Sequence, residues 1–452
     1  MRIHCIGVAG SGMLPLAVYL RTRGHTVSGS DRFMDQAVGP EKFSLLRSHG
    51  ITLHPQDGSA VTPAVDQVIY SGAVEATVPD LARARELNIP CLSRAQALAG
   101  IFNAARGVAI AGSSGKSTTA AMAGFILNEA GLKPALISGA PLMNYVDRPE
   151  RGAFLAGESD LLVIEADESD GTVTGYRPAI GVVLNISLDH MEIPVLKELF
   201  GRFAANSRSV IYNRDCPHVM DSPVPRAPDA MAFGTTPGLA WSMTDVAAGP
   251  EGVTWRLNGI PFRITLPGAH NAENATAAAA AAELVGLPLA ESARILARFR
   301  GVERRMHLVG VRGGVIVLDD YAHNPAKVRA AIATARTMGR RIVAVFQPHG
   351  FGPTKFIRTE LVTAFSEAMD PSDRLFIIDI FYAGGTADKS ISSADIAAEV
   401  AARGIAAAQV TRADAAQAAA AAARPGDVVL VMGARDITLA DLAKAIHAAL
   451  PL

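Results

Sequence analysis

The sequence contains few cysteines and no pattern that would join them. Cys5, Cys91 and Cys216 are odd in number, lie far apart and form no Cys-x-x-Cys pair. This spacing argues against a disulfide framework and against a structural zinc site. We therefore expect three reduced thiols, as in a protein of the cytoplasm.

The sequence also lacks an excess of either charge and lacks a long apolar run. Its 42 Lys and Arg residues nearly balance 43 Asp and Glu residues, so no global basic field attracts nucleic acid. No apolar stretch reaches the roughly 18 residues that a membrane span needs. The short apolar run at the start ends in a glycine-rich turn and does not predict a signal peptide. We expect a cytoplasmic protein with no nucleic-acid or membrane partner, in which acidic substrates are bound by local sites.

The chain alternates short β-like runs with longer helical patterns. Its 452 residues are enough for two to four domains. The alternation predicts an α/β fold of parallel sheets with helices on both faces. We predict three domains, with residues 1–105, 106–298 and 299–452. One stretch differs, because apolar runs on both sides of Asn258-Gly259 predict a β-hairpin.

The strongest motif is a glycine-rich loop between a predicted strand, Val108–Ala111, and a predicted helix. It consists of Gly112, Ser113, Ser114, Gly115, Lys116, Ser117 and Thr118. Such a loop turns backbone N–H groups toward phosphates, its lysine reaches the outer phosphates, and its Ser117 hydroxyl can bind Mg²⁺. The strict pattern would place glycine where Ile110 stands, so the motif is a variant. The alternative is a glycine turn with an exposed lysine.

Acidic residues follow the next hydrophobic strand, which reads LLVIE. They are Glu165, Asp167, Glu168 and Asp170. Carboxylates at the end of a strand beside a phosphate loop are natural Mg²⁺ ligands, although a solvated acidic loop would read the same. A second strand leads to Asn185, Asp189 and His190. His190 fits either a cation ligand or an ordinary loop histidine.

Two further groups of polar residues lie downstream. Asn271 and Asn274 are one helical turn apart, so their amides suit either an adenine edge or a helix cap. The last group follows a predicted strand that ends in an acidic, histidine-bearing turn, where functional residues collect in α/β folds. It comprises Asp319, Asp320, Tyr321, His323 and Asn324.

In their order and spacing, these motifs resemble those of the Mur ligase superfamily over essentially the whole chain. The matching segments are GSSGKST, EADESD, Asn185 with Asp189 and His190, GAHNAENA, GVERR and DDYAHNP. The opening GVAGSGM and the later SGSD are similar to the nucleotide-sugar domain of the branch that joins L-alanine to UDP-N-acetylmuramate. The stretch FAANSRSVIYN has no lysine, as in the members without a carbamylated lysine.

The resemblance implies a Rossmann-like UDP-sugar domain, a central P-loop ATPase-like domain and a Rossmann-like C-terminal domain. It implies an ATP- and Mg²⁺-dependent ligase of peptidoglycan synthesis that forms an amide through an acyl-phosphate, as a monomer or weak homodimer. The implied catalytic residues are Lys116, Arg305 and His323, and the implied metal ligands are Ser117, Glu165 and His190. Beyond the phosphate loop, the implied ATP contacts are Asn271, Asn274, Arg305 and Asp320. The implied substrate contacts are Gly10, Ser11, Gly12, Ser30, Asp31, Tyr321, His323, His349 and Lys355.

One loop departs from this family pattern. After Phe346–His349 the alanine-adding members have two arginines at the amino-acid site, but here Gly350 and Pro353 stand in their places. Lys355 and Arg358 are the nearest remaining cations, and lysine does not reproduce the bidentate fork of arginine. Two alternatives therefore remain: a relative with another amine or acceptor, such as a murein-peptide ligase, and a nucleotide-dependent regulatory protein without turnover.

Overall fold

The computed structural model describes residues 1–10, 12–36, 40–72, 74–148, 152, 154–168, 172–188, 191–249, 251–382, 388–436 and 438–451. The chain forms two compact units. The first comprises residues 1–186, 194–243 and 274–300, and the second comprises residues 187–193, 244–273 and 301–452. The first unit contains two sheets, so the domain boundary predicted near residue 105 lies inside it and stays a prediction. In the part of the chain that the structure describes, no helix is long and apolar enough to cross a membrane.

The first sheet of unit one is parallel throughout. Its elements are β1 (Arg2–Ile6), α1 (Met13–Thr22), β2 (Thr26–Ser30), α2 (Arg32–Asp35), α3 (Pro40–Ser48), β3 (Thr52–His54), β4 (Gln67–Tyr70), α4 (Pro79–Glu86), β5 (Cys91–Ser93) and α5 (Arg94–Asn103). The strand order is β3-β2-β1-β4-β5. Four of the five residues of β1 are buried, as expected of a strand in a parallel sheet that is covered on both faces.

The second sheet of unit one carries the phosphate loop. Its elements are β6 (Arg106–Ala111), α6 (Lys116–Glu129), β7 (Ala135–Ile137), β8 (Phe154–Leu155), β9 (Leu161–Glu165), β10 (Ile180–Val183), α7 (Ile193–Ala205), β11 (Ser209–Asn213), α8 (Pro217–Met220), β12 (Ala230–Gly234) and β13 (Trp241–Gly249). The strand order is β13-β12-β11-β10-β6-β9-β7-β8, and only residues 241–243 of β13 belong to unit one. Pairing is parallel from β12 through β10, β6 and β9 to β7, and antiparallel between β7 and β8. The loop therefore leaves the carboxyl end of an interior strand, β6.

The predicted hairpin is confirmed. The next elements are β14 (Gly252–Leu257), β15 (Ile260–Ile264), α9 (His270–Val285) and α10 (Leu289–Leu296). β14 and β15 pair antiparallel, and Leu257 faces Ile260 across the two-residue turn. Both turn residues have positive φ, 49° at Asn258 and 82° at Gly259, which matches the strand twist of a two-residue hairpin.

The C-terminal sheet lies in unit two. Its elements are β16 (His307–Arg312), β17 (Val315–Asp320), α11 (Pro325–Arg336), β18 (Arg341–Gln347), α12 (Phe351–Phe356), α13 (Arg358–Ala368), β19 (Arg374–Ile377), α14 (Ser393–Ala402), β20 (Ala406–Gln409), α15 (Ala415–Ala422), β21 (Asp427–Gly433) and α16 (Leu439–Ala449). The order is β16-β17-β21-β18-β19-β20, antiparallel only between β16 and β17. Separate apolar clusters cover its two faces. The predicted α/β class with mainly parallel sheets is confirmed.

Candidate functional site

A glycine-rich turn, residues 7–10 and 12, follows β1 and begins α1. We call it the N-terminal glycine turn. The amides of Gly7 and Val8 both donate to the Ser30 carbonyl, at 2.9 and 3.1 Å. A side chain at Gly12 would meet the Arg94 guanidinium at 3.2 Å, so the backbone and this arginine approach closely. The turn thus has the strand–turn–helix form that binds phosphate groups, and it contains the predicted substrate residues Gly10 and Gly12. Ser11 lies outside the described residues.

Two other predicted substrate residues, Ser30 and Asp31, have side chains that are used inside the protein. Ser30 is fully buried, and its hydroxyl donates to Asp80. Asp31 accepts from the Ala9 amide at 2.9 Å and from the Phe33 amide at 3.0 Å, which caps α2. The structure therefore shows both residues shaping the loops around the turn. Direct contact with a nucleotide-sugar stays a prediction.

The phosphate loop joins β6 to α6 in a conformation that needs glycine. Gly115 has φ of 85° and precedes α6, and an added Cβ there would lie 2.5 Å from Asn274 Oδ1. Lys116 begins the helix, and its Nζ donates to the Gly112 carbonyl and to Glu168 Oε2, each at 2.7 Å. The lysine thus lies across the loop, as expected of a residue that binds the outer phosphates of a nucleotide.

Asn185, after β10, holds the phosphate loop in place. Its Oδ1 accepts from the Ser114 amide at 2.8 Å, and its Nδ2 donates to the Ser114 carbonyl at 3.0 Å. Its backbone carbonyl accepts from the Ser113 amide at 3.1 Å. Sequence reasoning found Asn185 only as part of a motif and did not identify this role. The signal was its position at the end of a strand that pairs with β6.

Oxygen atoms that suit a hard cation meet beside Lys116. Ser117 Oγ donates to Glu165 Oε2 at 2.9 Å, and Glu165 Oε1 accepts from Ser138 and from the Gly139 amide. Glu168 is buried, and its Oε1 has no hydrogen-bond partner among the described residues. Hydroxyl and carboxylate oxygens are the donors that Mg²⁺ prefers, so this set fits the predicted ion. The third predicted ligand, His190, lies outside the described residues, as do Asp170 and Asp189.

The two predicted adenine contacts lie on α9, one turn apart. Asn271 Nδ2 donates to the Pro267 carbonyl at 2.8 Å, and Asn274 Oδ1 accepts from Thr119 Oγ1 at 3.3 Å. Both side chains are buried. Their amides therefore fix the start of α9 and the base of the phosphate loop, and contact with adenine stays a prediction.

In unit two, the acidic turn after β17 is strongly organised. Asp320, one of the predicted ATP contacts, accepts from the Met306 and Ala322 amides, each at 2.7 Å. Its neighbour Asp319 pairs with Arg304 at 3.3 Å, yet burial outweighs this pairing and raises the pKa of Asp319 to about 6. The Arg305 guanidinium lies over the ring of Tyr321, 4.8 Å from its centre. The predicted catalytic and substrate residues Arg305 and Tyr321 are thus in contact.

Two predicted histidines share a cavity in unit two. The His323 and His349 rings are 5.2 Å apart, and His323 Nδ1 donates to the Tyr321 carbonyl at 2.9 Å. The cavity has a volume of about 220 Å³, and its wall includes His323, Phe346, Pro348, His349, Ile357 and Leu361. Its described lining contains no lysine or arginine. Apart from the two histidines, most of this wall is apolar.

The cations proposed for the substrate carboxylate are directed elsewhere. Lys355 Nζ lies 3.0 Å from Asp388 Oδ2 and 3.0 Å from Ser390 Oγ. Arg358 pairs with Glu399. Neither cation is part of the described cavity wall. The prediction that Lys355 binds substrate therefore gains no support from its position, because the ion pair holds its ammonium group.

The parallel sheets, the lysine-bearing glycine loop and its neighbouring carboxylates define a nucleotide-dependent α/β enzyme. The chain belongs to the Mur ligase family. Residues 2–106 match the Mur ligase family catalytic domain, residues 110–282 the Mur ligase middle domain, and residues 304–435 the Mur ligase glutamate ligase domain. The predicted family is thereby confirmed, and the chain is a ligase.

Relatives and solved structures resemble the chain along its length. A UDP-N-acetylmuramate–L-alanine ligase of Sorangium cellulosum is 35% identical over 96% of this chain and 94% of its own length. The crystal structure of a UDP-N-acetylmuramate-alanine ligase from Thermotoga maritima has a TM-score of 0.78 at 23% identity, covering 99% of this chain and 98% of its own. A murein peptide ligase from Psychrobacter arcticus has a TM-score of 0.70 at 20% identity over the same shares. The two structures support the fold alone.

Proposed function

We propose that this protein is an ATP-dependent ligase that joins L-alanine to the carboxylate of UDP-N-acetylmuramate in the cytoplasm, in the synthesis of peptidoglycan precursors. The observation that carries the proposal is the phosphate loop with Lys116 across it and the oxygens of Ser117 and Glu165 beside it. Support for the substrates comes from relatives of that name at about 35% identity over nearly the whole chain.

The chemistry begins with phosphoryl transfer. A carboxylate oxygen of the UDP-sugar attacks the γ-phosphorus of ATP. The bond between the γ-phosphorus and the β,γ-bridging oxygen breaks, ADP departs, and the UDP-sugar carboxylate becomes an acyl-phosphate. Lys116 and Arg305 are the cations assigned to the charge on the transferring group. Ser117 and Glu165, with His190, are assigned to Mg²⁺, which would neutralise phosphate charge when bound.

Acyl transfer follows. The amine nitrogen attacks the carbonyl carbon of the acyl-phosphate, the tetrahedral intermediate expels inorganic phosphate, and the nitrogen loses a proton to form the amide. His323 is assigned to that proton. Its Nδ1 donates to the Tyr321 carbonyl, which places the acceptor of the neutral ring on Nε2. Tyr321 and His349, whose rings lie 5.6 and 5.2 Å from the His323 ring, are assigned to the amine substrate.

A second candidate is a ligase of the same family that takes a larger amine, such as a murein peptide. The observation that favours it is the cavity wall in unit two, which carries two histidines but no described lysine or arginine for a small amino acid's carboxylate. The two candidates share the phosphoryl-transfer step and differ only in the amine.

The test is a phosphate-release screen of the purified protein with ATP, Mg²⁺ and UDP-N-acetylmuramate. L-Alanine, glycine, L-serine and a muropeptide-type tripeptide are compared, with product mass as a second readout. We expect amine-dependent phosphate release and an amide product with L-alanine. A product only with the tripeptide would select the second candidate, and no product with any amine would refute both.

A further inference from the structure

A polar network, buried except for the half-buried Ser28, lies under the N-terminal glycine turn. It joins His4 on β1, Ser28 and Ser30 on β2, and Asp80 in the first turn of α4. His4 Nδ1 is 2.9 Å from Ser28 Oγ, and His4 Nε2 is 3.4 Å from Asp80 Oδ2. The Ser30 hydroxyl donates to the same Asp80 oxygen. His4, Ser30 and Asp80 are all completely buried. Burying such groups is costly unless they are well paired, and these side chains pair with one another.

Asp80 is held firmly at the centre of this network. Its second oxygen, Oδ1, accepts from the Gly58 amide at 2.6 Å. Burial raises the pKa of Asp80, but the hydrogen bonds from His4, Ser30 and the Gly58 amide more than offset it, so the pKa lies below its usual range. Asp80 therefore presents a fixed anionic acceptor to Ser30 at neutral pH.

Ser30 connects this acceptor to the turn. Its side chain binds Asp80, while its backbone carbonyl accepts both the Gly7 and the Val8 amides. The next residue, Asp31, accepts the Ala9 amide. Three successive residues of the turn are thus hydrogen-bonded to the segment that Asp80 anchors.

We propose that Asp80 is a positioning residue for the UDP-sugar: through Ser30 it holds the N-terminal glycine turn in the shape that receives the sugar nucleotide's diphosphate. The inference rests on the proposed function, which supplies the UDP-sugar as the ligand of this turn. Asp80 itself touches no substrate, because it is completely buried.

The test is Asp80→Asn, which keeps the size of the side chain and removes its charge. Losing a charge-assisted bond on Ser30 should raise the KM for UDP-N-acetylmuramate about tenfold or more. The KM for ATP and kcat should change less than about threefold. The reason is that the substitution weakens binding of the UDP-sugar equally in the ground state and in the transition state. Asp80→Glu should not restore the KM, because the longer side chain cannot keep the Gly58 and Ser30 contacts together. The control is Asp66→Asn, an exposed carboxylate in the same part of the chain that accepts the Arg2 amide at 2.6 Å.

A second readout does not depend on turnover. Hydrogen exchange of the ligand-free protein should show faster exchange at the Gly7 and Val8 amides in Asp80→Asn, with the phosphate loop unchanged. If Asp80→Asn does not fold, Ser30→Ala, which keeps the backbone carbonyl, takes its place in the exchange experiment. Unchanged exchange at the turn, an unchanged KM for the UDP-sugar, or an equal rise in the KM of every substrate would overturn the proposal. Absence of wild-type turnover together with faster exchange in the variant would instead refute the proposed function while leaving the anchoring intact.

Discussion

Substitution of Pro353 by arginine should improve recognition of L-alanine. The carboxylate of alanine is its largest recognisable feature, and the described cavity beside His323 and His349 offers it no lysine or arginine. Pro353 lines that cavity and is exposed in the first turn of α12. A longer side chain therefore has room at this position of the helix. A hydrogen bond to a charged group contributes about 1.5–3 kcal/mol, which is about 10- to 100-fold in affinity.

The assay is steady-state phosphate release with L-alanine, glycine and L-serine at saturating ATP and UDP-sugar. Wild type should show a high KM for L-alanine, and Pro353→Arg should lower it about 10- to 100-fold with little change in kcat. The matched control is Thr359→Arg, which adds the same charge at an exposed position of α13 outside the described cavity wall. Gly350 is a poorer site for the arginine, because its φ of 66° strains any other residue. Tight, alanine-selective kinetics in wild type that Pro353→Arg does not improve would show that another group binds the carboxylate.

Three further predictions concern the phosphate loop and the acidic turn. Lys116→Ala should abolish phosphate release, and retained turnover would contradict the loop assignment. The same substitution leaves the buried Glu168 carboxylate unpaired, so it should lower the free energy of unfolding by about 1–3 kcal/mol. Adding Glu168→Gln should restore stability in a denaturation assay but should not restore turnover. Glu165→Ala should sharply raise the Mg²⁺ concentration needed for half-maximal activity, whereas an unchanged titration would move the metal to Asp167 or Glu168. The pKa of Asp319 is raised to about 6, so the folded state binds the proton of this carboxyl group more tightly than the unfolded state does. The stability that this proton contributes is therefore present at low pH and is lost as pH rises from about 4 to about 6. Denaturant unfolding at several pH values should show the stability of wild type relative to Asp319→Asn falling by up to about 3 kcal/mol over that range, and parallel pH profiles would contradict the assignment.

The sequence predicted the features that depend on local pattern. The hairpin turn was predictable because two-residue hairpin turns need positive φ, which Asn258 and Gly259 readily adopt. The phosphate loop was predictable because its glycines and lysine stand between a strand pattern and a helix pattern. Contacts between distant segments were not predictable. Asn185 lies 71 residues from Ser114, and Lys355 lies 33 residues from Asp388. No periodicity records such pairings, since they follow from how the strands and loops pack.

The anchoring of the phosphate loop by Asn185 has a thermodynamic consequence. Hydrogen bonds at Ser113 and Ser114 fix the loop backbone, and Asn274 fills the space beside Gly115, so the order of this loop comes from contacts within the protein. Ordering a flexible backbone costs about 1–2 kcal/mol per residue, and here that cost is met during folding and not during binding. Nucleotide affinity should therefore carry little conformational-entropy penalty from this segment.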